Sequence, residues 1–125
     1  MRLFTSILFA ITFLAVALPA QDPVKVAPKS YTVLLDNDQV RVLKSCLKPG
    51  ETIPTHSHNY RVIYELTDQR SRFTFPAAPP VVSSSEAGTV KWGTPVTHSE
   101  ENIGNTDGCA LIVELKETKN SLGRP

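Results

Sequence analysis

The chain has three histidines, and all of them fall into one pattern: His56-Ser57-His58, then His98 with Asn102 four residues later. In an alternating segment, His-x-His puts both imidazoles on one face of a strand, because strand side chains alternate with a period of two. A third histidine from a distant strand completes a facial set of nitrogen donors, which is what an open-sided metal site requires. Three neutral imidazoles can hold a divalent transition metal and leave positions free for water or substrate. Other chemistry is sparse. The run Ser83-Ser84-Ser85 has no base at a meaningful spacing, and no cofactor-binding fingerprint is present. Glu100-Glu101 reads as a solvated face. Tyr64 and Trp92 read as core or pocket wall, and Asn102 as a group that supports the histidines or forms a turn.

The elements that would position these groups are short strands. YTVLL, QVRVLKSCLK, TIPTHSH, YRVIYEL, SRFTF, TVKWG and CALIVELK are rich in Val, Ile, Thr, Tyr and Phe. Turn signals separate them at Asn37-Asp38, Pro49-Gly50, Thr67-Asp68-Gln69, Glu86-Ala87-Gly88 and Asn105-Thr106-Asp107-Gly108. Many short strands at this spacing, with no helical stretch, predict an all-β sandwich or barrel. The segment Phe75-Pro76-Ala77-Ala78-Pro79-Pro80 cannot lie in a central strand and is expected to form a rigid surface excursion.

The chain begins Met-Arg and then runs uncharged from Leu3 to Ala20, the pattern of a secretory signal peptide. Cleavage fits after Ala17 or after Ala20, and the stretch is barely long enough for a membrane anchor. The expected organisation is a signal peptide over 1–20, a leader and first edge strand over 21–38, a barrel over 39–116 and a polar tail over 117–125. Residues 21 to 29 carry two prolines and read as a flexible leader. The expected location is secreted or periplasmic, with no stable membrane anchor after cleavage. Beyond Arg2 the chain holds twelve basic and twelve acidic residues. Without a basic patch, a nucleic-acid partner is not indicated. Export makes a disulfide between Cys46 and Cys109 chemically possible. It requires alpha carbons within about 7 Å, and two separate buried apolar cysteines are the alternative.

Two phrases then stand out: Pro49-Gly50 followed by His56-Ser57-His58, and Glu86-Ala87-Gly88 followed by Trp92, Pro95, His98 and Asn102. Together they resemble the two motifs of the cupin superfamily, over roughly Gln39 to Lys116. The resemblance implies a cupin-type jelly-roll β-barrel, with His56, His58 and His98 at the metal-ligand positions. It aligns Gly50 and Gly88 with the family's turn glycines and Asn102 with its asparagine.

The family also uses a glutamate a few residues after the histidine pair. Matching Val62-Ile63-Tyr64-Glu65-Leu66 to the family phrase puts Arg61 in that position, and arginine cannot coordinate a cation. Glu65 is the nearest acid, about 13 Å further along an extended strand. The expected cofactor is a divalent transition metal (Fe, Mn, Ni, Cu or Zn) on three histidines. The expected partner is a small-molecule ligand, bound near Arg61, Tyr64 and Trp92. Arg61 beside a metal would favour an anionic ligand through bidentate contacts. An enzyme would be of the metal-dependent oxygenase, isomerase or lyase type; a metal-free ligand-binding barrel is the alternative. Homodimerisation through a sheet edge, common in the family, is a further expectation.

Overall fold

A computed structural model of the chain describes residues 21–117. The expected signal peptide and all of the expected tail except Glu117 lie outside the described residues. Runs of β-branched and aromatic residues, punctuated by turn residues, give nine strands: β1 (Tyr31–Asp36), β2 (Val40–Leu47), β3 (Thr52–His58), β4 (Arg61–Glu65), β5 (Gln69–Phe75), β6 (Ala78–Ser85), β7 (Val90–Gly93), β8 (Val96–Asn102) and β9 (Gly108–Leu115). They form two antiparallel sheets, with orders β1-β2-β9-β4-β7 and β3-β8-β5-β6. The all-β jelly-roll expectation holds. Gly50 and Gly88 both adopt positive φ (80° and 84°), as turns at the motif glycines require.

Two segments depart from the sequence reading. Residues 21 to 29 are not a loose leader: Pro23–Val26 form a short helix, α1, with Pro at its first turn. The Asp22 side chain caps it, accepting from Val24 N at 2.9 Å and Lys25 N at 3.3 Å. Pro23 and Ala27 are buried. Ser57 N donates to Gln21 O at 2.8 Å, so this segment also covers the free edge of β3. In the proline-rich segment, only Pro76-Ala77 form the turn. Pro79 and Pro80 lie within β6, an edge strand, where a missing N–H costs no ladder bond.

Cys46 and Cys109 face each other directly in the β2–β9 register, with Cα atoms 4.2 Å apart, and form a disulfide. The register decides what the sequence left open. The apolar core is small: Ala27, Tyr31, Leu43, Leu47, Ile53 and Ile112 cluster, with Val24 and Ile63 packed against them. Elsewhere the interior is polar: Ser45, His56, His58, Arg61, Glu65, Ser71, His98, Asn102 and Glu114 are all buried. A polar interior in so small a barrel marks a chamber rather than a core.

Candidate metal centre

β3 carries the histidine pair, and its irregular register is what aims them. Ile53 pairs with Glu100 and His56 pairs with His98, so three residues of β3 span two of β8. This bulge at Pro54–Thr55 lets Ile53 and His56 both face inward although an odd number of steps separates them. Pro54 O in the bulge accepts a hydrogen bond from His56 Nδ1 at 2.8 Å. His58 follows two residues on, on the same face. β8 brings His98 directly opposite His56. All three rings are buried, and one ligand nitrogen from each lies within 4.8 Å of the others.

The hydrogen bonds fix which nitrogens carry protons. Pro54 O can only accept, so His56 Nδ1 is protonated and its Nε2 bears a lone pair. Glu114 Oε1 accepts from His58 Nδ1 at 2.6 Å, which leaves His58 Nε2 as the second inward nitrogen. The two Nε2 atoms are 3.0 Å apart, the spacing expected when two imidazoles share one metal at about 2.0–2.1 Å each. His98 Nε2 is buried with no hydrogen-bond partner among the described residues. Orphaned buried polar atoms are rare and call for a missing partner. Two facing lone pairs and an orphan nitrogen fit a cation bound among His56, His58 and His98, and outer hydrogen bonds to Pro54 and Glu114 are the usual support for metal-bound imidazoles.

Electrostatics keep the His56 and His98 rings neutral. Burial is the chief cause lowering His56 to about 4, with His58 and Arg61 adding to it against the opposing Pro54 hydrogen bond. Burial likewise lowers His98 to about 3, reinforced by His56, His58 and Arg61. His98 stacks on Phe73 with centroids 5.2 Å apart and planes 10° from parallel, which sets its ring orientation. Tyr31 OH lies 3.3 Å from His56 Nε2, and burial together with Glu100 and Glu114 raises its phenol above the usual range.

A cavity of about 80 Å³ opens beside the histidines, with His58, His98, Arg61, Glu65, Phe73 and Glu100 on its wall. Arg61 sits at the start of β4 opposite Gly93, and a Cβ on Gly93 would lie 2.7 Å from the guanidinium carbon. Its Nη1 donates to Thr94 O at 2.8 Å and to Asn59 O at 3.3 Å. Only 8% exposed, it makes no ion pair among the described residues. Arg61 is therefore a buried cation facing the chamber, where the resemblance placed an acid. Glu65 does not substitute. It is buried and engaged by Lys91 and by Gln69 Nε2 at 2.5 Å, away from the histidine nitrogens.

Two further expectations need correcting and one is narrowed. Tyr64 and Trp92 do not line the histidine chamber: they are 43% and 59% exposed, on the outward parity of β4 and β7. Arg61, Ile63 and Glu65 hold the inward parity of β4, so Tyr64 must face out. Of the two roles expected for Asn102, supporting the histidines or forming a turn, it takes the second. Its Nδ2 donates to Leu47 O and Thr106 O, and its Oδ1 accepts from Gly104 N, so it ties a turn at the far end of β8. Glu100 is not part of a solvated pair. It shares parity with His98, lines the cavity and accepts from Ser71 Oγ at 2.8 Å, while Glu101 pairs outside with Arg72. Burial raises the Glu100 carboxyl above the ordinary range.

Glu114 is the residue in contact with the histidine cluster that the sequence reading missed. In CALIVELK it shares the parity of Ala110 and Ile112, so an acid stands on an inward-facing row, which is the signal that could have found it. Its Oε2 accepts from Arg41 Nε at 2.8 Å, and Arg41 Nη1 reaches Asp22 at 2.5 Å. Burial pushes the Glu114 carboxyl up, but hydrogen bonds from His58 and Arg41 outweigh it and hold the group below its usual value.

No protein-family model matches the sequence, and no curated protein matches it. Solved structures do. A cupin domain from Bordetella pertussis Tohama I superposes with a TM-score of 0.64 at 25% identity, over 69% of this chain and 91% of that one. An RmlC-like cupin family protein with a double-stranded β-helix fold from Methanocaldococcus jannaschii gives 0.57 at 16% identity, over 71% and 81%. A cupin superfamily protein from Desulfitobacterium hafniense DCB-2 gives 0.53 at 13% identity, over 70% and 76%. With its two antiparallel sheets and inward-facing histidines, the chain is a small cupin-superfamily domain.

Proposed function

We propose that this cupin is exported and holds a divalent transition metal on His56, His58 and His98, beside a chamber that binds or transforms a small anionic organic molecule. The observation that carries the metal reading is the convergence of the His56 and His58 lone pairs, 3.0 Å apart, with the partnerless His98 Nε2. Bound there, the metal supplies Lewis acidity or activates water or dioxygen. Arg61, unpaired and facing the same chamber, supports an anionic ligand. The chamber volume of about 80 Å³ is roughly half that of a cavity known to take benzene, so the ligand has only a few heavy atoms. Export is supported by the disulfide, which persists in oxidising compartments.

The test is metal analysis of protein purified without a histidine tag and dialysed against Fe(II), Mn(II), Ni(II), Cu(II) and Zn(II) in turn. One metal per chain, lost in His56→Ala and His98→Ala, is the expected result. A folded wild-type protein that retains none of them rejects the reading. The same 3.0 Å approach also suits a hydrogen bond between the two rings, the arrangement of a metal-free ligand-binding barrel. That form predicts folded, metal-refractory protein. Turnover of a retained anion separates an enzyme from a binder. Release of a chain beginning at Leu18 or Gln21 tests export.

A further inference from the structure

β1 buries a single residue. Tyr31 is 4% exposed, while the five residues that follow it in the strand are all exposed. The turn after α1 sets its place: Tyr31 N donates to Ala27 O at 3.2 Å, and Cys46 N donates to Ser30 O at 2.9 Å. Register puts Tyr31 opposite Ser45, and both line the histidine chamber. The phenol ring stands edge-on to His56 and His58, with centroids 6.0 and 6.3 Å away. Its hydroxyl oxygen lies 3.3 Å from His56 Nε2.

That separation is beyond the roughly 2.7–3.2 Å of an ordinary nitrogen–oxygen hydrogen bond. It is the spacing of two donors on one cation. Ligand atoms about 2.0–2.1 Å from a metal stand about 2.8–3.4 Å apart, nearer when at right angles and further when tetrahedral. His56 Nε2 has two neighbours in that range, His58 Nε2 at 3.0 Å and Tyr31 Oη at 3.3 Å. Its one lone pair cannot accept a full hydrogen bond from both. A cation among the three atoms satisfies all of them.

Charge points the same way. Three neutral imidazoles leave a bound dication uncompensated, and buried charges are normally paired. Arg61 adds a further positive charge to the chamber, in the position where the resemblance places an acid. The other buried acids are committed elsewhere. Glu65 is held by Lys91 and Gln69, and Glu114 by His58 and Arg41. Glu100 accepts from Ser71 and lies outside the set of groups close enough to share one cation. We infer that Tyr31 Oη is the fourth donor to the metal, an oxygen from β1 in place of the acid that β4 lacks. The assignment rests on the metal reading of the three histidines and deepens it. Burial keeps the phenol protonated in the metal-free chain, and binding the cation releases that proton to solvent.

Cu(II) is the probe, because a phenolate bound to it gives a visible charge-transfer band that imidazoles do not supply. Both cysteines are in the disulfide, so no thiolate can supply it either. The chain has two other tyrosines, Tyr60 and Tyr64, and these are exposed and off the chamber wall. The purified full chain with one equivalent of Cu(II) should show the band, with phenolate ring modes in resonance Raman excited within it. Tyr60→Phe and Tyr64→Phe should keep both signals. Tyr31→Phe retains the ring that packs in the apolar cluster, so circular dichroism should be unchanged. It should lose the band and bind Cu(II) at least about 10–100-fold more weakly, the loss seen when only an outer partner of a ligand is removed. The wild-type band and Raman modes test the assignment even without that variant. Stoichiometric Cu(II) without the band, or a band that survives in Tyr31→Phe, overturns the inference and leaves the three-histidine reading standing. A wild-type chain that retains no divalent metal overturns both.

Discussion

His58 Nδ1 lies 2.6 Å from Glu114 Oε1, and this contact joins the three-histidine cluster to the opposite sheet. The chain of contacts continues from Glu114 to Arg41 and from Arg41 to Asp22, the cap of α1. The ring orientation of one histidine is thus anchored through three charged residues to the N-terminal helix. Such outer partners fix the tautomer and raise the basicity of the bound imidazole, and their loss costs roughly 10–100-fold in metal affinity. Glu114→Gln keeps the size and removes the charge. It should weaken metal binding by that factor in a chelator competition while the chain stays folded, and unchanged affinity would show that His58 needs no such anchor.

Metal-free protein should lose stability as pH falls below neutrality, well before carboxylates titrate. His56 and His98 have folded-state values near 4 and 3, below the ordinary imidazole value of 6.5. The unfolded chain therefore takes up their protons first. Their contribution is complete above about pH 6.5 and disappears progressively down to about pH 3. On the scale of about 1.4 kcal/mol per unit, shifts from 6.5 to about 4 and about 3 put an upper bound of roughly 8 kcal/mol on the two together. Glu114, held low by His58 and Arg41, adds a loss of the same sign at lower pH. Urea midpoints at pH 7.5, 6 and 5 should fall in sequence, and less steeply in His98→Phe, which keeps the stacking on Phe73 but cannot be protonated. A midpoint independent of pH over that interval would contradict the neutral, buried state of these rings.

Reducing the Cys46–Cys109 bond should destabilise the barrel without touching the metal centre. The bridge closes a loop with a sequence separation of 63, for which the loop-entropy relation gives roughly 4 kcal/mol as an upper figure. Both cysteines lie on the outward parity of β2 and β9, away from the histidines. Chemical denaturation of a Cys46→Ala/Cys109→Ala variant should show a loss of up to that size with metal stoichiometry retained. Equal stability in the two proteins would mean that the strand register alone holds β2 against β9.

The histidine motif was legible because a period of two and a turn glycine are local properties, and the structure keeps His56, His58 and His98 together as that spacing implied. What escaped the sequence was decided by pairing between distant strands. Glu114 and Glu100 look like surface acids until β9 and β8 are placed with Ile112 and His98 facing inward. Tyr64 and Trp92 stay off the chamber wall for the converse reason, since Arg61 fixes the parity of β4 and thereby of its neighbour β7. β8 itself, VTHSEEN, lacks apolar alternation because the chamber it lines is polar. The folded state of residues 21 to 27 depends on Arg41 and Ser57 from other strands, which no local pattern announces.

Gly93 should prove as important to the anion site as Arg61 itself. A Cβ at this position would meet the Arg61 Cζ at 2.7 Å and its Cγ at 2.9 Å, so more than the tip of the side chain would have to move. Arg61 is buried and held by Thr94 O, and overpacked sites of this kind cost about 1–3 kcal/mol. Gly93→Ala should therefore displace the guanidinium from the chamber wall and reproduce Arg61→Gln. In both variants the nearby positive charge felt by His56 and His98 is moved or removed, so metal affinity should rise or stay level. Binding of a small carboxylate such as acetate, followed as a perturbation of a bound Co(II) or Cu(II) spectrum, should weaken by on the order of tenfold, the loss expected for one charge-assisted contact of about 1.5–3 kcal/mol. Acetate binding that survives in Arg61→Gln would remove Arg61 from the site; survival in Gly93→Ala alone would mean only that the guanidinium finds another route to the same anion.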